Sequence, residues 1–243
     1  MSALLHFSEH TLQEVALVFM AITYALRLRW LFRFKAGKER QASTATWADG
    51  RRKGIVYSLG LIAMPWAMES TRKNLLLYVQ FVLFHLGVVA AISLSFVIPY
   101  APHWLEASWL VVMMQWTIGA AFVVGLLRIV RRVSQPVMRK ISSPDDYFSL
   151  LLLTVCFFFG VLAAPNQTES GEGVLLAFFL LTAFFLAYVP FSKISHYLYY
   201  PITRYYFGKT MGHRGTYPAP GQSAPASVAK TQPEGKKAAV TQS

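Results

Sequence analysis

A chain of 243 residues that is 55% apolar and only 14% charged, with a mean hydropathy of +0.41, does not have the composition of a soluble domain, where about a quarter of residues are charged. Its net charge of +12 would point a soluble protein toward nucleic acid. Here the charges fall between long apolar runs, so membrane topology accounts for them and nucleic acid is excluded as a partner. A single cysteine, Cys156, excludes an intrachain disulfide and a cysteine-held iron–sulfur or zinc site.

In chain order, the first apolar run covers Leu12 to Leu26, with a span expected at about 8–27. No basic stretch precedes it, so it is expected to stay in the mature protein rather than be cleaved as a signal peptide. His6, His10 and Glu14 follow one another at intervals of four, on one helical face. That face can bind a metal or handle protons, or it can be an interfacial cluster facing water. Glu14 lies deeper and is expected to face the bundle, a cavity or a partner subunit. After a basic stretch comes "GIVYSLGLIAMPWAM", residues 54–68, which is short for a span and has a proline near its end. It reads as an interfacial or re-entrant helix.

Further spans are expected at about 75–100, 108–128, 147–164 and 173–199. His103 sits in the loop "IPYAPHWLEAS", and an Asn166-Gln167-Thr168 triplet, a glycosylation sequon that often matches by chance, in the loop "APNQTESGEG". The basic tail, 208–243, is rich in Pro, Ala, Ser, Gly, Gln and Lys from about Gly215 and is expected to be disordered. His103 and His213 read as surface histidines.

The charges fix the expected topology. With the N-terminus outside, the inner segments carry every one of the 23 lysines and arginines, while Glu9, Glu106, Glu169 and Glu172 lie outside. A sixth span at 54–68 would put Arg72 and Lys73 outside and break this pattern. The expected fold is an all-α membrane protein: a five-transmembrane-helix bundle, N-terminus outside and C-terminus inside, in the cell inner membrane.

Two histidines differ from the rest. His85 lies in "VQFVLFHLGVVAAISL", a run without a charged side chain, and His196 lies in "VPFSKISHYLYYP". The helices that carry them run in opposite directions, so both rings fall in the inner half of the bilayer at similar depth. Bis-histidine haem ligation needs that arrangement. A hydrogen bond between helices, a proton relay in a transporter or sensor, and a haem-free structural anchor remain open on spacing alone. A transporter is expected to show repeated halves or broken helices, and the sequence has no internal repeat.

The segments "LFHLGVV", "APHWLEASW" and "PFSKISHYLYYPITRYYFG" resemble the gamma subunit of respiratory nitrate reductase and the wider family that includes the cytochrome b subunits of heterodisulfide-reductase-like and sulfate-reducer redox complexes. The resemblance covers roughly residues 75–207. It implies histidine ligands for two b haems. The pair for the haem nearer the cytoplasm corresponds to His85 and His196, and the other pair falls on Ser95 and Phe178, neither an ordinary haem ligand. One b haem on the inner side and no outer haem are therefore expected.

The function implied is a membrane cytochrome b subunit that relays electrons between the quinone pool and an iron–sulfur subunit on the cytoplasmic face. Membrane lipid and other membrane or multihaem cytochrome c subunits are further expected partners. Arg128, Arg131 and Arg132 lie in one turn and can dock an acidic partner or simply set topology and meet anionic lipid. Lys193 and Arg204 can pair with haem propionates, or Lys193 can snorkel to the interface.

Overall fold

A computed structural model describes residues 2–37, 39–45, 49–168 and 171–218. The described residues form helices and turns, with no strand among them. In chain order the helices are α1 (Ala3–Glu9), α2 (Thr11–Phe32), α3 (Gly50–Gly60), α4 (Glu69–Lys73), α5 (Leu75–Tyr100), α6 (Ser108–Ser134), α7 (Pro136–Ile141), α8 (Pro144–Ala163), α9 (Gly173–Tyr188) and α10 (His196–His213). Five segments are long and apolar enough to cross a membrane: Ala3–Phe32, Leu75–Tyr100, Ser108–Ser134, Pro144–Ala163 and Gly173–Phe191. The protein is therefore an all-α, five-span membrane bundle.

The chain divides into two compact units, Met1–Gly37 with Ser70–Tyr199, and Lys38–Glu69 with Tyr200–Ser243. In the first, α5 packs on α6, α6 on α8, α8 on α9 and α9 on α2. Lipid is as apolar as leucine, so small residues and polar links must hold spans together. Both occur. A Cβ placed on Gly87 of α5 would lie 2.0 Å from the Cβ of Ala121 on α6, so the two backbones approach closely there. Buried Gln13 of α2 donates its side-chain amide to the Phe179 carbonyl of α9 at 2.7 Å. The opposite side of α2 exposes Val15, Val18, Phe19, Ile22, Leu26 and Trp30 at helical spacing, a stripe suited to lipid.

Three expected boundaries shift. The first span starts earlier and runs on to Phe32, and the third continues six residues past 128 to Ser134. The fifth is not one helix to residue 199. It ends at Tyr188, gives way to short 3-10 turns at Val189–Phe191 and Lys193–Ser195, and a new helix begins at His196. Pro190 is the second residue of the first of these turns, and the Ser192 side chain caps the second by accepting the Ile194 N–H at 3.1 Å. The expected 54–68 helix also differs. α3 starts at Gly50 and stops at Gly60, and 3-10 turns at Leu61–Ala63 and Pro65–Ala67 follow. Met64 precedes Pro65 and takes φ −117°, ψ 74°, outside the helical region, as a residue before proline does.

In the second unit, Gly50 and Gly54 of α3 face Gly208 and Gly212 of α10 at backbone contact. A Cβ on Gly54 would fall 2.4 Å from the Gly208 carbonyl oxygen. The expected tail boundary at 208 thus lies inside α10, and residues 219–243 lie outside the described residues. His213 is not on the surface as expected. It is buried, its Nε2 donates to the Gln41 carbonyl at 2.9 Å, and its Nδ1 accepts from Arg51 Nε at 3.2 Å. The His213 carbonyl in turn accepts from the Thr44 N–H and the Ser43 hydroxyl. Arg214 pairs with Glu39 at 3.0 Å, and its hydrogen bond holds that exposed carboxyl below the usual range.

Candidate functional site

His85 is the eleventh residue of α5, on a helix with no break before Pro99. Its Nδ1 lies 2.7 Å from the Phe81 carbonyl oxygen one turn back. His196 is the first residue of α10, and its Nδ1 lies 3.0 Å from the Lys193 carbonyl oxygen in the preceding turn. A carbonyl can only accept, so each Nδ1 carries the proton, and each Nε2 keeps its lone pair when the ring is neutral. Metal-ligating histidines are held in this way.

The rings lie edge to face, with centroids 6.2 Å apart and planes at 81°. An imidazole nitrogen binds a transition metal at about 2 Å, and with about 1 Å more from nitrogen to ring centre, two rings on opposite sides of one ion have centroids roughly 6 Å apart. The observed separation meets that requirement. His85 is half-buried and His196 exposed, so the pair opens sideways and is not sealed in the core. Among the described residues no group of three or more His, Cys, Asp or Glu is placed to hold a metal ion. The donor set is two imidazoles, which fits an iron whose remaining ligands come from a porphyrin.

Around His85 the Phe81 ring lies 4.2 Å away by centroid, and the Phe84 ring lies 6.3 Å away. Arg128 of α6 stacks its guanidinium over Phe84 at 4.8 Å. Its two neighbours are already engaged: Arg131 bonds Gln135, and Arg132 bonds the Ser142 hydroxyl. Lys193 is not free to serve as expected for a propionate. Its ammonium sits 2.7 Å from Asp146 and 2.8 Å from the Ser143 hydroxyl. Arg204 stacks on Tyr200 and Phe207 of its own helix.

The second histidine pair of the resemblance has no counterpart that could ligate. Ser95 is buried and donates its hydroxyl to the Ile92 carbonyl of its own helix at 2.8 Å. Phe178 is fully buried, and the cavity it lines with Phe157 and Phe185 measures about 20 Å³. That is about the space of one water.

His6 and His10 stack at 4.8 Å, although the helix breaks between α1 and α2 at His10. Of the surroundings expected for Glu14, the bundle interior is not the one found. Glu14 is exposed and accepts a hydrogen bond from the Tyr100 hydroxyl at 2.8 Å. His103 is exposed, as expected.

Sequence reasoning missed two supports of His196. The Tyr197 hydroxyl donates to the Tyr24 hydroxyl of α2 at 2.9 Å, and burial with that bond holds Tyr197 above its ordinary pKa. Asp145 of α8 accepts the Lys193 N–H at 3.0 Å. The run "SSPDDY" at 142–147 carried a signal, a serine cap, a proline and two acids at a helix start, but it specified only the helix.

Residues 63–177 match the family model described as nitrate reductase gamma subunit. The match takes in α5, α6 and α8 with His85 and stops short of His196. No curated protein matches the chain.

Proposed function

We infer that the chain works as a member of the nitrate reductase gamma subunit family, whose model it matches over residues 63–177 and whose members are membrane cytochrome b subunits of redox complexes. From that premise we propose that His85 and His196 hold a single b haem, and that the protein relays electrons between membrane quinone and an iron–sulfur subunit docked on the basic, cytoplasmic side. The orientation in this reading is N-terminus outside and C-terminus inside, in the cell inner membrane.

A bis-histidine haem, when bound, supplies one-electron transfer and leaves no coordination position for substrate. What the protein's own residues do follows from the site. His85 presents Nε2 from a continuous helix. His196 presents Nε2 from a helix start, with its ring held by the turn before it. Phe81 and Phe84 give the His85 side an apolar wall, and Arg128 brings a cation against that wall. The basic segments beyond α2, α6 and α10 offer charge complementarity to an acidic partner face.

The observation that carries the reading is the edge-to-face imidazole pair, each ring with Nδ1 on a carbonyl and Nε2 available. The test is a dithionite-reduced minus oxidised spectrum of the purified chain with haem quantification, alongside His85→Ala and His196→Ala. A b-type spectrum with about one haem per chain, lost in both variants, is expected. A folded preparation without haem would overturn the proposal and leave a haem-free anchor. Two haems would overturn the reading of Ser95 and Phe178.

A further inference from the structure

The two histidines are held by different means. His85 bonds a carbonyl four residues back on its own helix, which needs nothing outside α5. His196 opens its helix, so no helical turn stands behind it. Its carbonyl partner, Lys193, belongs to a three-residue 3-10 turn between two helices. Such a turn has few internal hydrogen bonds and needs fixing from outside if the ring is to keep one orientation.

The fixing comes from the start of α8. Asp145 accepts the Lys193 backbone N–H at 3.0 Å through one carboxylate oxygen and the Tyr188 hydroxyl through the other. The Tyr188 hydroxyl also pairs with Ser149 at 2.9 Å. Next to it, Asp146 takes the Lys193 ammonium at 2.7 Å, while its carboxylate closes the capping box with Ser143. Lys193 is thus held at its amide and at its side chain by adjacent acids, and its carbonyl is left aimed at His196 Nδ1. Ser195 ties the same turn back to the Val189, Pro190 and Ser192 carbonyls. The two acids have separate duties. Asp146 caps α8 as well as binding Lys193, whereas Asp145 bonds Tyr188 and the Lys193 amide and can be changed without removing the cap.

We propose that Asp145 is a positioning residue for His196: by clamping the Lys193 turn it fixes the Nδ1 hydrogen bond, and so the orientation and basicity, of that imidazole. The inference rests on the bis-histidine reading. A hydrogen bond from Nδ1 to a well-placed carbonyl makes the ring a stronger donor to an oxidised metal. A loosened clamp weakens that bond, destabilises the oxidised iron and moves the reduction potential upward.

Asp145→Ala and Asp145→Asn in the full chain test this. Asparagine keeps an oxygen that can accept the Lys193 N–H. The readouts are haem content, the midpoint potential, the low-spin ferric paramagnetic resonance signal, and amide hydrogen exchange across residues 193–196 in haem-depleted protein. Asp145→Ala is expected to speed exchange at 193–196, shift the ferric signal and raise the midpoint potential, with Asp145→Asn lying between it and the parent. Should Asp145→Ala lose the haem altogether while Asp145→Asn keeps it, the missing acceptor is the cause and the proposal stands. Exchange, signal and potential all unchanged in Asp145→Ala would overturn it. Faster exchange at 193–196 in Asp145→Ala than in the parent, with neither chain binding haem, would leave the clamp standing and overturn the haem reading instead, so the two failures are distinguishable.

Discussion

Gly87 lies two residues beyond His85 and is where α5 comes nearest to α6. A methyl group there would overlap Ala121, itself fully buried, whereas one on Gly119 would meet nothing closer than Val161 at 3.8 Å. Overpacking a tight contact costs about 1–3 kcal/mol. Gly87→Ala is therefore expected to lower the thermal midpoint of the detergent-solubilised protein and its haem content, and Gly119→Ala to leave both near the parent. Equal effects from the two would count against a close approach at Gly87. Individual residues were legible in proportion to how far they departed from their surroundings. His85 stood out as one polar ring in an apolar run, and similar depth on an antiparallel helix drew His196 to it, with the resemblance at "PFSKISHYLYYP" added afterwards. Asp145 did not stand out, because an acid in the first turn of a helix has a sufficient local explanation in the helix dipole, and its partner lies 48 residues away. His213 misled for the same reason: the Gln41 carbonyl that buries it is 172 residues distant.

Elements were legible where hydropathy alone decides them. The five long apolar runs became five spans because a bilayer of about 30 Å demands roughly 20 apolar residues and little else. Breaks inside apolar sequence were harder to see. Pro190 and Ser192 divide α9 from α10, yet a lone proline also occurs within an unbroken spanning helix, as at Pro99 of α5, so the segment reads as one span. The segment 39–45 was silent for another reason. It is polar and has no period, and its order comes from α10, through Arg214 on Glu39 and the His213 carbonyl on Ser43 and Thr44. This gives it a definite pH response. The Arg214 hydrogen bond lowers the Glu39 pKa below its ordinary value of 4.5. A carboxylate with a depressed folded pKa adds stability that is complete above its unfolded value and disappears as pH falls through the folded one. The thermal midpoint of Glu39→Gln is expected to lie slightly below the parent at neutral pH, with the gap closing below about pH 4. A gap that persists or widens in acid would show that Glu39 is not paired as a carboxylate.

For the whole molecule, the distribution of charge is the strongest single constraint. Every lysine and arginine falls in the segments that the proposed orientation puts on one side, the cytoplasmic side under the positive-inside bias. The single native cysteine, Cys156, is buried within a span, so it does not interfere with labelling from either side. Thr168→Cys is expected to react with a membrane-impermeant maleimide on intact cells, and Thr44→Cys only after permeabilisation. The reverse pattern would turn the protein over and move the haem to the outer half.

The glycine contact between α3 and α10 also sets a schedule. The two halves of that contact lie about 150 residues apart, and at roughly 5–20 residues per second the ribosome needs about 10–30 s to make the second after the first. Through that interval the Gly50 and Gly54 face of α3 exists without the surface that closes it, while the spans between are being inserted. The second unit therefore forms after the spans of the first have been made, and only on chains synthesised through Gly212. A ribosome that stops early, or a protease that trims α10, leaves α3 uncovered. Exposure of Gly50 and Gly54 is thus what separates a chain cut before Gly212 from one that carries α10 whole.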